Sequence, residues 1–259
     1  MKNFTVKLTY VISLVTLTLF LVGFTWTLQN QFFSEKTTNV VVKEEMVKKD
    51  QNDQNKTIVA LGDSLTRGTG DIEGKGYIGY LVEELEDKTN EKITLQNLGV
   101  KGYRSEQLVN QLQQTGVKEQ LKNADLILIT IGGNDLFQSG QTIMDLNLEN
   151  IDRLREQYLK NLGKIIVDLR VLNKEATIFF VGLYNPFIDL NDAALMTKAV
   201  RHWNFETSEL LDKHPQTVFV PTFDLFQLKV NDYLYTDKFH PNTKGYKLIA
   251  ERVSSLITW

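Results

Sequence analysis

The sequence predicts an α/β domain, a three-layer α/β/α sandwich around a five-stranded parallel sheet. Short apolar runs alternate with longer amphipathic stretches from Thr57 onward, the pattern of βαβ units around a parallel sheet. Two of these runs, Leu126 to Ile131 (LILITI) and Thr177 to Val181 (TIFFV), are almost continuously apolar, as strands covered by helices on both faces must be. In the last amphipathic stretch Tyr246, Ile249, Ala250, Val253 and Ile257 share one face at 3.6-residue spacing.

Taken in order, the strands are expected at Thr57 to Leu61, Ile93 to Leu98, Leu126 to Ile131, Thr177 to Val181 and Thr217 to Val220. Helices are expected at Tyr77 to Asp87, Ser105 to Gln113, Ile151 to Leu172, Ala193 to Lys213 and Thr243 to Ile257. Gln138 to Asn150 reads as a loop long enough to serve as a lid. The sequence contains no internal repeat.

Ahead of the domain, Leu8 to Leu28 is uncharged and mostly apolar, and at about 1.5 Å per residue it reaches the thickness of a bilayer core. Lys2 and Lys7 precede it, which orients the N-terminus toward the cytoplasm and everything after Leu28 outside. A cleaved signal peptide is the alternative, although its apolar region usually spans only about 7–15 residues and ends at an A-x-A-like site. Residues 1–33 are therefore expected to be a membrane anchor or signal peptide. Residues 34–56 are polar and charged and read as a tether. That leaves residues 57–259 as one domain, of ordinary size. The location implied is the cell membrane, single-pass with the domain outside, or secretion after cleavage.

With 42% hydrophobic and 24% charged residues the chain is globular, which excludes a disordered or collagen-like class. Residues 1–56 hold seven Lys/Arg and five Asp/Glu, so the 22 and 27 that remain give the domain a net charge of −5 and no basic footprint for nucleic acid. There is no cysteine, which removes disulfides, thiol nucleophiles and Cys-based zinc sites together.

In an open parallel sheet, ligands bind beyond the carboxyl ends of the strands. After the first strand stands Gly62-Asp63-Ser64-Leu65-Thr66, after the second Gly99-Val100-Lys101-Gly102, and after the third Gly132-Gly133-Asn134-Asp135. Beyond the fifth comes Asp237-Lys238-Phe239-His240. Four segments thus bring a serine, a glycine backbone, an asparagine and an Asp/His pair to one edge. That inventory suits acyl transfer, which needs a nucleophile, a base, an orienter for the base and donors for the oxyanion.

These four blocks, in this order, resemble those of the SGNH (GDSL) hydrolase family, in its secreted or membrane-anchored esterase and lysophospholipase-like branch. The resemblance covers residues 57–259 and implies a flavodoxin-like fold. Block by block, it implies Ser64 as nucleophile, His240 as general base and Asp237 as the acid that orients the imidazole. It implies an oxyanion hole made by the Ser64 N–H, the Gly102 N–H and the Asn134 amide. No metal and no cofactor are called for, and Asp63 is expected to support the nucleophile loop through backbone hydrogen bonds. An α/β-hydrolase reading fails on motif, because Ser64 lies in GDSLT and not in G-x-S-x-G.

Each residue has a plainer reading too. A serine after a strand is commonly a turn or cap, Asn134-Asp135 suits a turn, and Gly99 competes with Gly102. His202 and His214 compete with His240, yet only His240 has an aspartate three residues before it. Arg67 and Arg104 stand close to motif residues, where they either meet an anionic substrate group or are simply solvated. The segment Gly182 to Phe187 either shapes the acyl or leaving-group pocket or covers the sheet. The function expected is an extracytoplasmic serine esterase acting on lipid, lysophospholipid or glycan-acetyl esters. The rivals are a glycan- or lipid-binding module on the same fold and an acyltransferase with the same triad.

Overall fold

The computed structural model describes residue 7 and residues 13–25, 55–89, 91–138, 147–189 and 193–258. The chain divides into two units, residues 1–51 and 52–259. In the first, residues 13–25 form a helix whose apolar side chains, Leu14, Phe20 and Val22 among them, are exposed. The Thr18 and Thr25 hydroxyls donate back to carbonyls of their own helix. Among the described residues no helix is long and apolar enough to cross a membrane. Residues 8–12 and 26–28 of the expected span lie outside the described residues, as do residues 34–54 of the expected tether.

The second unit carries five strands, β1 (Asn55–Gly62), β2 (Lys92–Asn97), β3 (Leu126–Thr130), β4 (Thr177–Val181) and β5 (Thr217–Val220). All pair in parallel in the order β2-β1-β3-β4-β5. Among the described residues ten helices connect and cover them: α1 (Ser64–Arg67), α2 (Gly76–Thr89), α3 (Ser105–Gln111), α4 (Thr115–Lys122), α5 (Gly133–Phe137), α6 (Leu148–Leu172), α7 (Ala193–Leu211), α8 (Phe223–Gln227), α9 (Val230–Tyr233) and α10 (Thr243–Ser254).

Alternation along the strands divides the core in two, because successive side chains point to opposite faces. Val59, Leu61, Ile127, Ile129, Ile178 and Phe180 pack with α3, α4, α6 and α7 on one face. On the other, Ile58, Ala60, Leu126, Leu128, Phe179 and Val181 pack with Tyr77, Ile78, Leu81 and Leu85 of α2 and with Tyr246, Ile249 and Val253 of α10. The sheet is thus buried on both sides, the expected three-layer sandwich.

The differences from expectation are local. β1 starts at Asn55 because Asn55 and Lys56 pair with Lys92 and Ile93 through the backbone, which needs no apolar side chain. α6 begins at Leu148, where the Asn147 side chain accepts from the Glu149 amide, so the end of the expected loop is helical. Residues 139–146 of that loop lie outside the described residues. Helices α1, α4, α5, α8 and α9 escape a periodicity search because one or two turns hold too few apolar positions to repeat.

The order β2-β1-β3 places the switch in chain direction between β1 and β3, where ligands of doubly wound sheets bind. There the two strand ends come unusually close. Gly62 has φ +128°, and a Cβ on it would lie 1.9 Å from the Thr130 carbonyl oxygen. Gly62→Ala is therefore expected to destabilise the domain by about 3 kcal/mol or more, since neither clash partner is a movable side-chain end. Thermal melting should show a fall of roughly 6 °C or more; a midpoint within experimental error of wild type would contradict the close approach.

Candidate active site

β1 leads straight into the first site residue. The Asp63 amide donates to the Thr130 carbonyl at 3.0 Å, and its side chain accepts from the Leu65 amide at 3.0 Å and lies in hydrogen-bond contact with the Thr130 hydroxyl at 2.8 Å. Asp63 is the N-cap of α1, so Ser64 opens that one-turn helix. Thr66, fully buried, links back to Thr130 and to the Leu61 carbonyl. The nucleophile turn is fastened to β3 by side chains as well as by backbone.

The histidine arrives from the other side of the molecule's sequence, on the segment between α9 and α10. Tyr235 and Lys238 amides close it into a turn on the His240 and Tyr235 carbonyls, and Leu234 bridges Pro241. Lys238 sits at φ +57°, a left-handed conformation that folds Asp237 back on the chain. One Asp237 oxygen then accepts the Phe239 and His240 amides at 3.0 Å each, and the other meets His240 Nδ1 at 2.6 Å. His240 Nε2 stands 2.8 Å from Ser64 Oγ. Ser64, His240 and Asp237 are thereby joined in one line, 176 residues apart along the chain at the serine–histidine contact.

Several residues that no local pattern singles out hold this segment. The Tyr184 hydroxyl donates to the Phe239 carbonyl at 2.6 Å. Asn242 caps α10 and donates to the Asp232 and Leu234 carbonyls. Asp71 accepts from the Thr243 hydroxyl at 2.6 Å, the Tyr80 hydroxyl and three backbone amides, which pins the 69–76 loop to the start of α10. Gly70 in that loop touches the histidine segment so closely that a Cβ would lie 2.6 Å from the Pro241 carbonyl and 3.1 Å from His240 Cβ.

Of the expected oxyanion donors, Asn134 lines the same cavity as Ser64. Asn134, at the start of α5, gives one amide hydrogen to the Tyr103 carbonyl at 2.9 Å, and a carboxamide has a second to offer. Gly102 is exposed at φ +82° with open space around it, and its N–H makes no hydrogen bond among the described residues. Gly99, by contrast, has its amide taken by Asn97 and its Cβ position blocked by Thr66. The amide of Ser64 lies in the first turn of α1, where no intrahelical acceptor exists. Asp135 ties these loops together: its carboxylate accepts the Ser105 amide and hydroxyl, and Asn161 of α6 donates to the same hydroxyl.

Beside Ser64 lies a cavity of about 420 Å³, solvent at its mouth included. Ile131, Phe137, Val181, Leu183, Tyr184 and Phe239 give it an apolar wall. The segment after β4 takes part in both the cavity and the aromatic packing beside it. Gly182 to Tyr184 and Pro186 line the cavity, while Phe187 packs edge-on against Phe137 at 5.3 Å and beside Phe239. His202 instead pairs with Glu206 on α7, and His214 lies in the turn after that helix. Arg67 and Arg104 are exposed and take part in no ion pair among the described residues.

The three carboxyl groups of the site are held in different states. Burial pushes Asp63 up to about 7, against the hydrogen bonds from Leu65 and Thr130. It raises Asp135 as well, partly offset by the Ser105 bonds. Burial also acts upward on Asp237, but bonds from the His240 ring and from the His240 and Phe239 amides outweigh it and leave that carboxylate below its usual range. A carboxylate so held stabilises an imidazolium beside it. The arrangement has the parts of a serine acyl-transfer centre and includes no group of three or more His, Cys, Asp or Glu suited to a metal among the described residues.

Fold and site together define an α/β ester hydrolase. Residues 60–248 match the GDSL-like Lipase/Acylhydrolase family, and the chain belongs to it. Among similar proteins, YpmR of Bacillus subtilis is 38% identical over 205 residues, covering 77% of this chain and 80% of that protein. The spore germination lipase LipC of Bacillus licheniformis is 27% identical over 208 residues, 75% of this chain and 92% of its own. Among solved structures, the lipase Lip_vut3 from a goat rumen metagenome superposes with a TM-score of 0.71 at 26% identity, covering 77% of this chain and 96% of that one.

Tyr184 offers a test of how the histidine segment is held, since Tyr184→Phe keeps the ring stacked on Phe226 and removes only the bond to Phe239. Leaving that carbonyl without its donor should cost about 1–3 kcal/mol in denaturant unfolding. Ester turnover should slow several-fold with KM little changed, because a His240 held less firmly affects the chemical step. Unaltered stability and kcat would show that the bond holds nothing.

Proposed function

We propose that this chain hydrolyses acyl esters of lipids through an acyl-Ser64 intermediate, on the outer side of the cell membrane. Ser64 Oγ attacks the ester carbonyl while His240 Nε2 takes its proton. The carbon–oxygen bond to the alcohol then breaks, and the same proton passes from His240 to the leaving oxygen. Water repeats the sequence: His240 removes its proton, hydroxide adds to the acyl carbon, and Ser64 leaves with that proton as the free acid departs. Asp237 stays ionised throughout and keeps Nδ1 protonated. The Ser64 and Gly102 amides and the Asn134 carboxamide hold the negative oxygen of each tetrahedral intermediate.

The observation that carries this reading is the 2.8 Å contact of Ser64 with His240, itself 2.6 Å from Asp237, beside a cavity with an apolar wall. The apolar wall favours an acyl chain over a polar group, since apolar surface buried against it contributes at about 25 cal/mol per Å². The outward location is supported by the uncharged Leu8 to Leu28 run behind Lys2 and Lys7. It is supported too by the exposed apolar helix at residues 13–25, whose threonine hydroxyls are satisfied internally.

A panel of esters of rising acyl length tests the substrate class. kcat/KM should climb from acetyl to medium chains, Ser64→Ala should abolish both turnover and labelling by a fluorophosphonate, and Asn134→Ala should lower kcat by about 10²–10³. A best rate on the acetyl ester would overturn the lipid reading, labelling of the wild type with no ester hydrolysed would point to transfer, and no labelling of the wild type would point to binding. Location is tested separately by protease added to intact cells, which should cut within residues 34–54. Protection equal to that of a cytoplasmic control would refute the outward orientation.

A further inference from the structure

The oxygens behind the nucleophile turn form a chain that lacks a proton if every acid is ionised. Asp63 Oδ1 lies 2.8 Å from Thr130 Oγ1, which lies 2.7 Å from Thr66 Oγ1, which lies 2.9 Å from the Leu61 carbonyl oxygen. Three links need three protons, and the two threonine hydroxyls hold one each. The Leu61 carbonyl only accepts, so Thr66 must donate to it, and Thr130 must then donate to Thr66. The Thr66 amide, 3.2 Å away, takes a lone pair of Thr130, leaving one lone pair turned to Asp63. Only a proton on Asp63 completes that last link. An ionised Asp63 would claim the Thr130 proton and leave two oxygens in contact elsewhere in the chain, in a region where Thr66 and Thr130 are no more than 2% exposed.

We propose that Asp63 works as a neutral carboxylic acid, a positioning residue that locks the nucleophile turn to β3 and keeps negative charge away from the oxyanion. The second half of this rests on the acyl-Ser64 reading above. Asp63 immediately precedes Ser64 and lines the same cavity, and its other oxygen lies 4.0 Å from where a Cβ on Gly133, the neighbour of Asn134, would stand. A charge there would oppose the one that develops on the substrate, by on the order of tenfold or more in rate for like charges several ångströms apart in a partly dry site.

The surroundings favour the neutral form. Burial raises the carboxyl to about 7, and the charged group acting on it, Asp135 of α5, pushes the same way. The other titratable groups facing it are Tyr77 of α2, Tyr158 of α6, Tyr184 after β4 and Tyr246 of α10, each itself raised by burial, with His240 beyond Ser64. The linkage follows in sign: a folded-state value raised above the unfolded 3.8 means that the native state binds the extra proton between about 4 and 7. Stability from this group is therefore greatest at acid pH and is lost as pH rises through about 7.

Thermal melting of the full chain, wild type against Asp63→Asn, from about pH 4 to about pH 9 reads this without substrate. The wild-type midpoint should fall relative to the variant by roughly 5 °C or more as pH rises to neutrality, then run parallel. A gap independent of pH would overturn the neutral acid whatever the enzyme's substrate proves to be. Should the variant not fold, carbon-13 NMR of aspartate-labelled wild type replaces it. One carboxyl titrating near neutrality and displaced by Thr130→Val supports the proposal; none titrating above about pH 5 overturns it. With the best ester of the panel, kcat should drop about tenfold through the same pH range in wild type and stay level in Asp63→Asn. An alkaline limb unchanged by the substitution would overturn the oxyanion role alone.

Discussion

The contact on which the rest of the site depends is the one between the carboxyl ends of β1 and β3. Gly62 passes so near the Thr130 carbonyl that no side chain fits between them, and the Asp63 amide closes the gap with a hydrogen bond. Because β1 and β3 are neighbours in the middle of the sheet, this contact is as rigid as the core beneath it. Ser64 follows one residue later and Asn134 four residues after Thr130, so the serine and its candidate oxyanion donor are set by the same joint. A rigid scaffold of this kind lets a few loop residues hold reactive geometry.

The histidine segment has no such support from the sheet and is held by polar clasps instead. Asp71, Tyr184 and Asn242 reach it from three directions, from the 69–76 loop, from the end of β4 and from the cap of α10. Each clasp bonds backbone or the Thr243 hydroxyl and leaves the His240 ring free to meet Ser64 and Asp237. That division is physically sensible. A ring that carries a proton back and forth, as proposed for His240, must keep both nitrogens available, so its position has to be set by what surrounds it.

This contrast also explains how much was legible in the sequence. β3 and β4 stand out because they are buried on both faces and so are almost continuously apolar, and α10 stands out by its periodicity. The four motif blocks are readable because each packs its chemistry into a few consecutive residues. The clasps are not. Thr243 bonds Asp71 across 172 residues, Thr130 bonds Asp63 across 67, and Asn161 reaches Ser105 across 56. A lone threonine or asparagine carries no local mark of such a partner, since its neighbours in sequence are not its neighbours in space. Gly102 and Gly99 show the same limit from the other side. The two are alike as letters, and they differ only once Asn97 is seen to occupy the Gly99 amide and Thr66 to fill the space beside it.

Charge placement joins these observations into one picture of the proposed reaction. Asp237 is exposed and saturated with donors, so it is ionised where a cation forms, beside His240. Asp63 and Asp135 are buried behind the oxyanion side, and both are pushed toward the neutral form. One aspartate type thus does opposite work according to how many donors and how much water it meets. The cavity wall extends the same logic, because the apolar side chains of Ile131, Phe137 and Leu183 line the cavity that Asp63 also borders. On the proposed reaction, an apolar acyl site and a neutral Asp63 behind Ser64 would both follow from one largely buried region.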